Sequence, residues 1–229
     1  MSARPSGTVT FLFTDVVGST ALWDARPNDM RAALSSHDAI VRNMVDEFDG
    51  YVFSTAGDSF AVAFGRPLQA AYAALGIRSR LEGADWAGPF RLEVRFGLHT
   101  GTADERDGDY FGPHLNRAAR LMSAGHGGQV VVSSVTAELL RGETGGEFAL
   151  ADLGEHYLRD VSTPTYAFQL DSLGELRRFP PLRSVESAGG NLPIQPSRFF
   201  GRGDEITEIV KRLGSGERLV TLAGHRRGR

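Results

Sequence analysis

The order of strand-like and helix-like patterns along the chain is the feature that most restricts its fold. A β-rich run with alternating side chains covers residues 8–17, and a helical spacing of apolar residues follows over 26–49. The series is completed by two short strand-like runs (51–53 and 60–64), an alanine-rich helical stretch (67–82) and an alternating run (91–100). We therefore predict a β-α-β-β-α-β, ferredoxin-like core of the mixed α/β (α+β) class.

Additional elements follow this core. The pattern predicts a helix over 112–122, a strand over 129–133, a short helix over 134–140 and a terminal β section over 148–170. We therefore expect extra C-terminal strands and a single domain over residues 1–170. Scattered Pro, Gly, Ser and Arg without a sustained period predict a linker over residues 171–198.

Charge and composition exclude several classes of function. The net charge is −3 and no strongly basic run occurs, so we expect no nucleic-acid binding through a broad basic face. The chain contains no cysteine, which excludes disulfides and thiolate metal sites. No apolar run approaches the ~20 residues that span a bilayer, and the first residues do not form a signal peptide. We therefore expect a cytoplasmic protein without a membrane partner.

Two aspartates are predicted to meet at one edge of the sheet. In a β-α-β-β-α-β fold the third strand lies between the first two, antiparallel to both, so the first strand ends beside the tip of the next hairpin. Asp15 ends the first strand, and Asp58 lies at that hairpin tip. Carboxylate pairs suit hard ions such as Mg²⁺ or Mn²⁺, two of which can act together in phosphoryl displacement. Taken singly, each aspartate could instead be a helix cap or a turn former.

Two further groups of residues are candidates for nucleotide binding. Gly18, Ser19 and Thr20 follow the first strand and lead toward a helix, whose free N–H groups suit a phosphate. Asn116 and Arg120 are four residues apart on a predicted helix, so they share a face that suits a sugar oxygen and a phosphate. An ordinary Ser/Thr cap and a solvated helix face are the structural alternatives.

Three spaced segments carry a recognisable pattern: residues 13–20 (FTDVVGST), 56–60 (AGDSF) and 109–120 (DYFGPHLNRAAR). A fourth segment, residues 97–101 (GLHTG), lies between the last two. In order and spacing these segments resemble the class III nucleotidyl cyclases, the family of adenylyl and guanylyl cyclase catalytic domains. The resemblance covers about residues 8–170 and implies the class III cyclase fold.

The resemblance implies a two-metal site that is shared between two subunits. It assigns Asp15 and Asp58, together with Val16 beside Asp15, to two Mg²⁺ or Mn²⁺ ions. In the family, the metal-binding carboxylates of one subunit face the Asn and Arg of the other. A head-to-tail homodimer with two equivalent sites across its interface is therefore implied.

The resemblance also implies how the nucleotide is held. Asn116 would orient the ribose, Arg120 would stabilise charge at the α-phosphate, and Asp109 would select the base. Adenylyl cyclases usually carry a lysine at the position of Ser54, four residues before the second metal aspartate. Serine reaches less far and carries no charge, so this departure affects both substrate choice and turnover.

These features lead to one functional hypothesis and one rival from a different class. The first is a cyclase that converts ATP to 3′,5′-cyclic AMP and pyrophosphate, with GTP as the alternative substrate. The rival is a weakly active or inactive nucleotide-binding dimerisation module that regulates an attached domain. Ser54 favours the rival, whereas the paired aspartates and the Asn/Arg pair favour the enzyme.

The C-terminal residues resemble the start of a STAND-type P-loop ATPase domain, through residues 200–202 (FGR) and 218–224 (RLVTLAG). A Gly-Lys-Ser/Thr loop should follow, but residues 225–229 read HRRGR. The pattern also predicts one short amphipathic helix over residues 204–213 and one strand over 218–223, which cannot close a core by themselves. We therefore expect residues 199–229 to be a truncated remnant without ATP hydrolysis. A frameshift is one explanation of this ending, and sequencing the gene downstream would test it.

Overall fold

In the computed structural model of the protein, residues 4–86, 91–142, 148–184 and 203–215 are described. The chain divides into two compact units, Met1–Gly190 and Asn191–Arg229. In chain order, the described elements of the first unit are β1 (Thr8–Val16), α1 (Ser19–Ala25), α2 (Pro27–Glu47), β2 (Tyr51–Ala56), β3 (Ser59–Phe64), α3 (Pro67–Glu82), β4 (Val94–Thr102), β5 (Asp104–Arg106), β6 (Asp109–Phe111), α4 (Pro113–Ala124), β7 (Val130–Ser133), α5 (Ser134–Gly142), β8 (Phe148–His156) and β9 (Thr165–Ser172). The second unit contains α6 (Gly203–Gly214).

A seven-stranded mixed sheet with the order β2-β3-β1-β4-β7-β9-β8 forms the centre of the first unit. β3 lies between β2 and β1 and pairs antiparallel with both, whereas β4 and β7 are parallel. The β-α-β-β-α-β order and the extra C-terminal strands that the sequence predicts are therefore confirmed. The sequence pattern does not predict the separate sheet of β5 and β6, because its strands have only three residues each.

The two faces of the sheet pack against different helices. On one face, Leu12 belongs to a large apolar core with residues of α2, α3 and α5. On the other, which we call the α4 face, Val9 and Phe11 pack with Ala118 of α4 and Tyr110 of β6. Because alternate residues of a strand point to opposite faces, both sides of β1 are buried, as the apolar alternation of its sequence predicts.

Helix α4 approaches the sheet closely at Gly97 of β4. A Cβ at this position would lie 2.3 Å from the backbone N of Met122 and 2.4 Å from the backbone O of Ala118. Both atoms belong to the helix backbone, which yields only if the whole helix shifts in a close-packed interior. Glycine therefore sets the distance between the sheet and the helix that carries Asn116 and Arg120.

We expect Gly97→Ala to lower the thermal unfolding temperature by several degrees. Overpacking typically costs about 1–3 kcal/mol, and each kcal/mol shifts Tm by about 2–4 °C in a chain of this size. Gly65→Ala is the matched control, since a Cβ there meets no atom within 4 Å. Melting curves followed by circular dichroism measure the difference, and equal midpoints for Gly97→Ala and the wild type would contradict the close approach.

The packed part of the first unit extends past residue 170, beyond the boundary at which the sequence analysis places the start of a linker. β9 continues to Ser172, and the Asp171 carboxylate is buried against Arg78 with an Nη1–Oδ1 distance of 2.6 Å. Leu182 is only 2% exposed and belongs to an apolar cluster with residues of α4. Residues 173–184 form neither helix nor strand, although they pack against the domain. Because their composition is that of a linker and has no period, the sequence alone does not distinguish this packed segment from a free one.

The second unit confirms the short helix that the sequence predicts over residues 204–213, in the form of α6. The rest of the expected linker, residues 185–198, and the strand expected over 218–223 lie outside the described residues. Among the residues that the structure describes, no helix combines the length and the apolar character that crossing a membrane requires.

Candidate active site

Asp15 and Asp58 lie side by side where β1 ends next to the β2–β3 turn. Oδ2 of Asp58 accepts a hydrogen bond from the backbone N of Val16 at 3.0 Å, and Ser59 Oγ donates to Oδ1 of Asp15 at 2.7 Å. The turn itself is tight because Gly57 adopts φ 62°, a left-handed conformation that favours glycine. The topology argument places the two carboxylates at one edge of the sheet, and in the folded chain both lie at that edge.

A basic residue that the sequence motifs do not single out, Arg95, contacts this pair. It lies opposite Asp15 in the register of β1 and β4, and its Nη2 and Nε are 2.5 and 3.2 Å from Oδ2 of Asp15. Its Nη1 donates to the backbone O of Ser123 in α4 at 3.2 Å. Arg95 therefore connects the acidic edge to the C-terminal part of α4, and only the strand register could have identified it.

The donor set at this edge fits a hard divalent ion. Asp15 and Asp58 present carboxylate oxygens beside the backbone of Val16, whose N lies 3.0 Å from Asp58 Oδ2, and the Asp15 side chain is 21% exposed to solvent. No cluster of three or more His, Cys, Asp or Glu side chains that could hold a metal occurs among the described residues. Mg²⁺ is commonly bound through one or two carboxylates, with water and substrate phosphates completing its shell, so two carboxylates suffice.

The glycine-containing turn that follows Val17 leads directly from this edge into α1. Gly18 precedes α1 with φ 68°, and the helix start has no side-chain cap hydrogen bond. Ser19 is half-buried and Thr20 is exposed in the first turn of α1. Gly18, Ser19 and Thr20 therefore follow Asp15 by three to five positions along the chain, at the start of α1.

Asn116 and Arg120 lie one turn apart on α4, as the sequence predicts. Nη2 of Arg120 is 2.5 Å from Oδ2 of Asp160 in the β8–β9 connection, and the neighbouring Arg117 donates to Thr163 Oγ1 at 2.9 Å. Within the part of the chain that the structure describes, no hydrogen bond or ion pair joins this helix pair to the two aspartates. Among the described residues, the acidic edge and the Asn/Arg pair are therefore separate groups with no direct bond between them.

Phe53 and Tyr110, the chain neighbours of Ser54 and Asp109, form an aromatic contact on the α4 face. β2 has a bulge between Val52 and Ser54, so Phe53 is an extra residue in the strand. The Phe53 ring packs edge-on against Tyr110, with ring centroids 5.1 Å apart. Asp109 is adjacent to Tyr110 and accepts a hydrogen bond from its backbone N at 2.8 Å.

Ser54 itself lies on the α4 face because of this bulge. It pairs with Ala61, whose other partner is Phe13, and Phe13 packs in the apolar cluster beneath α4. Directly paired residues of neighbouring strands lie on the same side of a sheet. Ser54 therefore lies on the same face of the seven-stranded sheet as Phe53 and Tyr110, whereas Asp109 is exposed in the separate β5–β6 sheet.

Comparison with known proteins gives the family. The model of the adenylate and guanylate cyclase catalytic domain family matches residues 1–171. An uncharacterized protein of Mycobacterium tuberculosis is 41% identical over 207 residues, which are 89% of this chain and 70% of that protein. A receptor-type adenylate cyclase of Trypanosoma brucei brucei is 31% identical over 253 residues, covering 90% of this chain and 44% of that enzyme.

Solved structures give the same result for the fold. An adenylate cyclase of Trypanosoma brucei in its monomeric state superposes with a TM-score of 0.73 at 29% identity, covering 80% of this chain and 96% of that chain. The guanylate cyclase domain of a Catenaria anguillulae protein, in complex with GTP, superposes with a TM-score of 0.64 at 20% identity over 74% and 99% of the two chains. Because the family model covers most of its length and the fold agrees, this chain belongs to the adenylate and guanylate cyclase catalytic domain family.

Proposed function

We propose that this chain is an adenylate cyclase that converts ATP to 3′,5′-cyclic AMP and pyrophosphate. The observation that carries the proposal is the pair of half-sites: Asp15 and Asp58 at one sheet edge, and Asn116 and Arg120 one turn apart on α4. A relative that shares 31% of its residues is named a receptor-type adenylate cyclase, which favours ATP as the substrate.

The reaction needs little covalent chemistry from the protein. The ribose 3′-oxygen attacks the α-phosphorus, the bond between the α-phosphorus and the bridging α–β oxygen breaks, pyrophosphate leaves with that oxygen, and the 3′-hydroxyl proton passes to water. Asn116 is proposed to orient the ribose, and Arg120 to stabilise the negative charge that grows on the α-phosphate. Two Mg²⁺ or Mn²⁺ ions held by Asp15, Asp58 and Val16 would supply charge stabilisation for the attacking oxygen and the leaving pyrophosphate.

We propose that two chains assemble head to tail to complete each site. The Asn/Arg half of one chain would face the acidic half of its partner, and the two-fold axis would generate a second, identical site. The proposal is supported by the separation of the two halves within one chain, where Arg120 pairs instead with Asp160. That exposed pair is worth about 0–1 kcal/mol, so it yields readily to a phosphate.

Substrate choice is proposed to depend on Ser54 and Asp109. A serine hydroxyl both donates and accepts, whereas lysine only donates, so Ser54 does not by its own chemistry exclude guanine. GTP is therefore the second candidate substrate. Asp109 favours ATP, because its carboxylate can accept a hydrogen bond from the adenine amino group.

We expect Ser54→Lys to raise kcat/KM for ATP by about tenfold, because a charged hydrogen bond to the base, worth about 1.5–3 kcal/mol, replaces a neutral one worth about 0.5–1.5 kcal/mol, a net gain of about 1–1.5 kcal/mol. Thr55→Lys is the matched control. It adds the same charge one residue away, at a position that pairs with Phe60 on the opposite face of the strand. Steady-state rates with ATP and GTP measure the effect. An active Ser54→Lys variant with unchanged rate and preference would show that this position does not contact the base.

The direct test of the proposed function is an assay of the purified chain with ATP or GTP and Mn²⁺, scored for the cyclic product and pyrophosphate. Formation of cyclic AMP at a higher kcat/KM than cyclic GMP supports the adenylate cyclase. Preference for GTP would replace it with the guanylate cyclase. Nucleotide binding without any cyclic product would overturn both and support a regulatory dimerisation module.

A further inference from the structure

A continuous series of polar side chains connects α4 to the opposite side of the sheet. Nδ1 of His114, in the first turn of α4, is 2.8 Å from Nε2 of His99 in β4. Nδ1 of His99 is in turn 2.7 Å from Oγ of Ser133, which lies 3.1 Å from Oγ1 of Thr136 in α5. The series continues through Thr100 and Thr10, with Oγ1–Oγ1 distances of 3.0 and 2.9 Å.

The His114 ring sits in a close-fitting position against β4. It stacks on the His99 ring with centroids 5.1 Å apart and an interplanar angle of 23°. A Cβ added at Gly101 would lie 2.3 Å from this ring, so only glycine leaves the space that the ring occupies. His99 is 1% exposed, and both of its ring nitrogens have partners. The rings of His114 and His99 are therefore held in one relative orientation, by contact and by hydrogen bonding.

Helix α4 begins without the usual means of holding its first turn. Its N-terminal cap is Gly112, no side chain caps the free backbone N–H groups, and Pro113 follows. A glycine cap costs only a few tenths of a kcal/mol relative to Ser, Thr, Asn or Asp, but it supplies no side-chain acceptor for the free N–H groups of the first turn. Asn116 lies at this end of the helix, two residues after His114.

We propose that His114, held by His99, is a positioning residue that fixes the start of α4 and thereby the placement of Asn116 and Arg120. The inference rests on the proposed function for its effect on catalysis, but the anchoring itself does not. A hydrogen bond to the sheet at residue 114 replaces the missing cap, because it ties the first turn to a buried partner. The residues on either side of Asn116 do not do this, since Leu115 is apolar and Arg117 donates to Thr163 Oγ1.

The protonation state of the pair suits this role. Burial, followed by the nearby His114 and Arg117, lowers the pKa of His99 to about 3, and burial together with Arg117 lowers the pKa of His114. Both imidazoles are therefore neutral near pH 7. A neutral imidazole has one donor and one acceptor nitrogen, so the two rings can bond to each other and His99 can still bond to Ser133.

The experiment compares His114→Ala with His114→Asn in the full chain. Asparagine keeps a polar group near the position of Nδ1 that can donate or accept, whereas alanine removes it. We expect His114→Ala to lower kcat by about tenfold or more with little change in KM for ATP, because misplacing transition-state groups lowers turnover. His114→Asn should recover part of the loss. His126→Ala, which removes an imidazole that hydrogen-bonds to the backbone O of Pro181, is the control and should keep the wild-type rate.

Amide hydrogen exchange of the peptide covering residues 113–120 provides a readout that does not depend on activity. His114→Ala should exchange there about three- to tenfold faster than the wild type, as expected for the loss of one hydrogen bond, and His114→Asn should fall between them. An unchanged kcat or an unchanged exchange rate in folded His114→Ala would overturn the proposal. If the wild type forms no cyclic nucleotide, the proposed function fails, and the exchange data alone decide whether His114 anchors the helix.

Discussion

Replacing Asp15 or Asp58 with asparagine is expected to lower cyclic nucleotide formation by about 10²–10³, the loss typical of removing one preorganised charge-stabilising group. Asparagine is a more specific change than alanine, because it keeps an oxygen that can accept from Ser59 at position 15 or from the backbone N of Val16 at position 58. In Asp58→Asn the loss then reports the missing negative charge and metal ligand rather than a broken turn, whereas in Asp15→Asn it also includes the lost ion pair with Arg95. Initial rates over a range of Mn²⁺ concentrations measure it.

Asp46→Asn is the matched control for this pair, because Asp46 is exposed on α2 and outside the proposed site. It should keep the wild-type rate and the same dependence on Mn²⁺. Circular dichroism should show all three variants folded. Wild-type turnover in either Asp15→Asn or Asp58→Asn would refute the assignment of that carboxylate to the metal ions.

Mixing two inactive variants is expected to restore activity if each site takes its halves from different chains. Asp15→Asn homodimers lack a metal ligand at both sites, and Arg120→Ala homodimers lack the α-phosphate cation at both. In a mixed dimer, both changes fall on one site and leave the other intact, so the mixed dimer should reach about half the wild-type rate. With random exchange, half of the dimers are mixed, and an equimolar mixture should recover about a quarter of the wild-type rate.

A mixture of Asp15→Asn with Asp58→Asn is the control for this complementation. Both changes lie in the acidic half, so each site of the mixed dimer still lacks one carboxylate and no recovery is expected. Arg120→Ala removes only an exposed ion pair with Asp160, so folding should be retained. Persistent inactivity of the Asp15→Asn and Arg120→Ala mixture, with mixed dimers demonstrated by differential tagging, would refute the shared site.

Much of the fold follows from local patterns in the sequence. The period-2 alternation of β1, the apolar spacing of α2 and the alanine-rich α3 each determine an element without reference to distant residues, and the order of these elements restricts the topology. The topology then brings Asp15 and Asp58 together, because β3 must lie beside β1. Asn116 and Arg120 share a face because four residues are about one helical turn.

The structure adds what depends on register and long-range packing. Arg95 is opposite Asp15 only because β1 and β4 pair in one particular register, and a shift by one residue would place it on the other face. The bulge at Phe53 brings Ser54 to the α4 face, and no local pattern predicts a bulge. The irregular segment after β9 is packed rather than free because Asp171 and Leu182 find buried partners far away in the sequence.

The sequence by itself determined the elements, their order and the motif residues, because hydrophobic period and turn chemistry act over a few neighbouring positions. Only the tertiary structure decided which side chains contact those residues: Arg95 at Asp15, Asp160 at Arg120 and His99 at His114. Each of these contacts joins positions 15 to 80 residues apart. Their formation depends on strand register and helix placement, which are fixed by packing of the whole domain and by no local pattern.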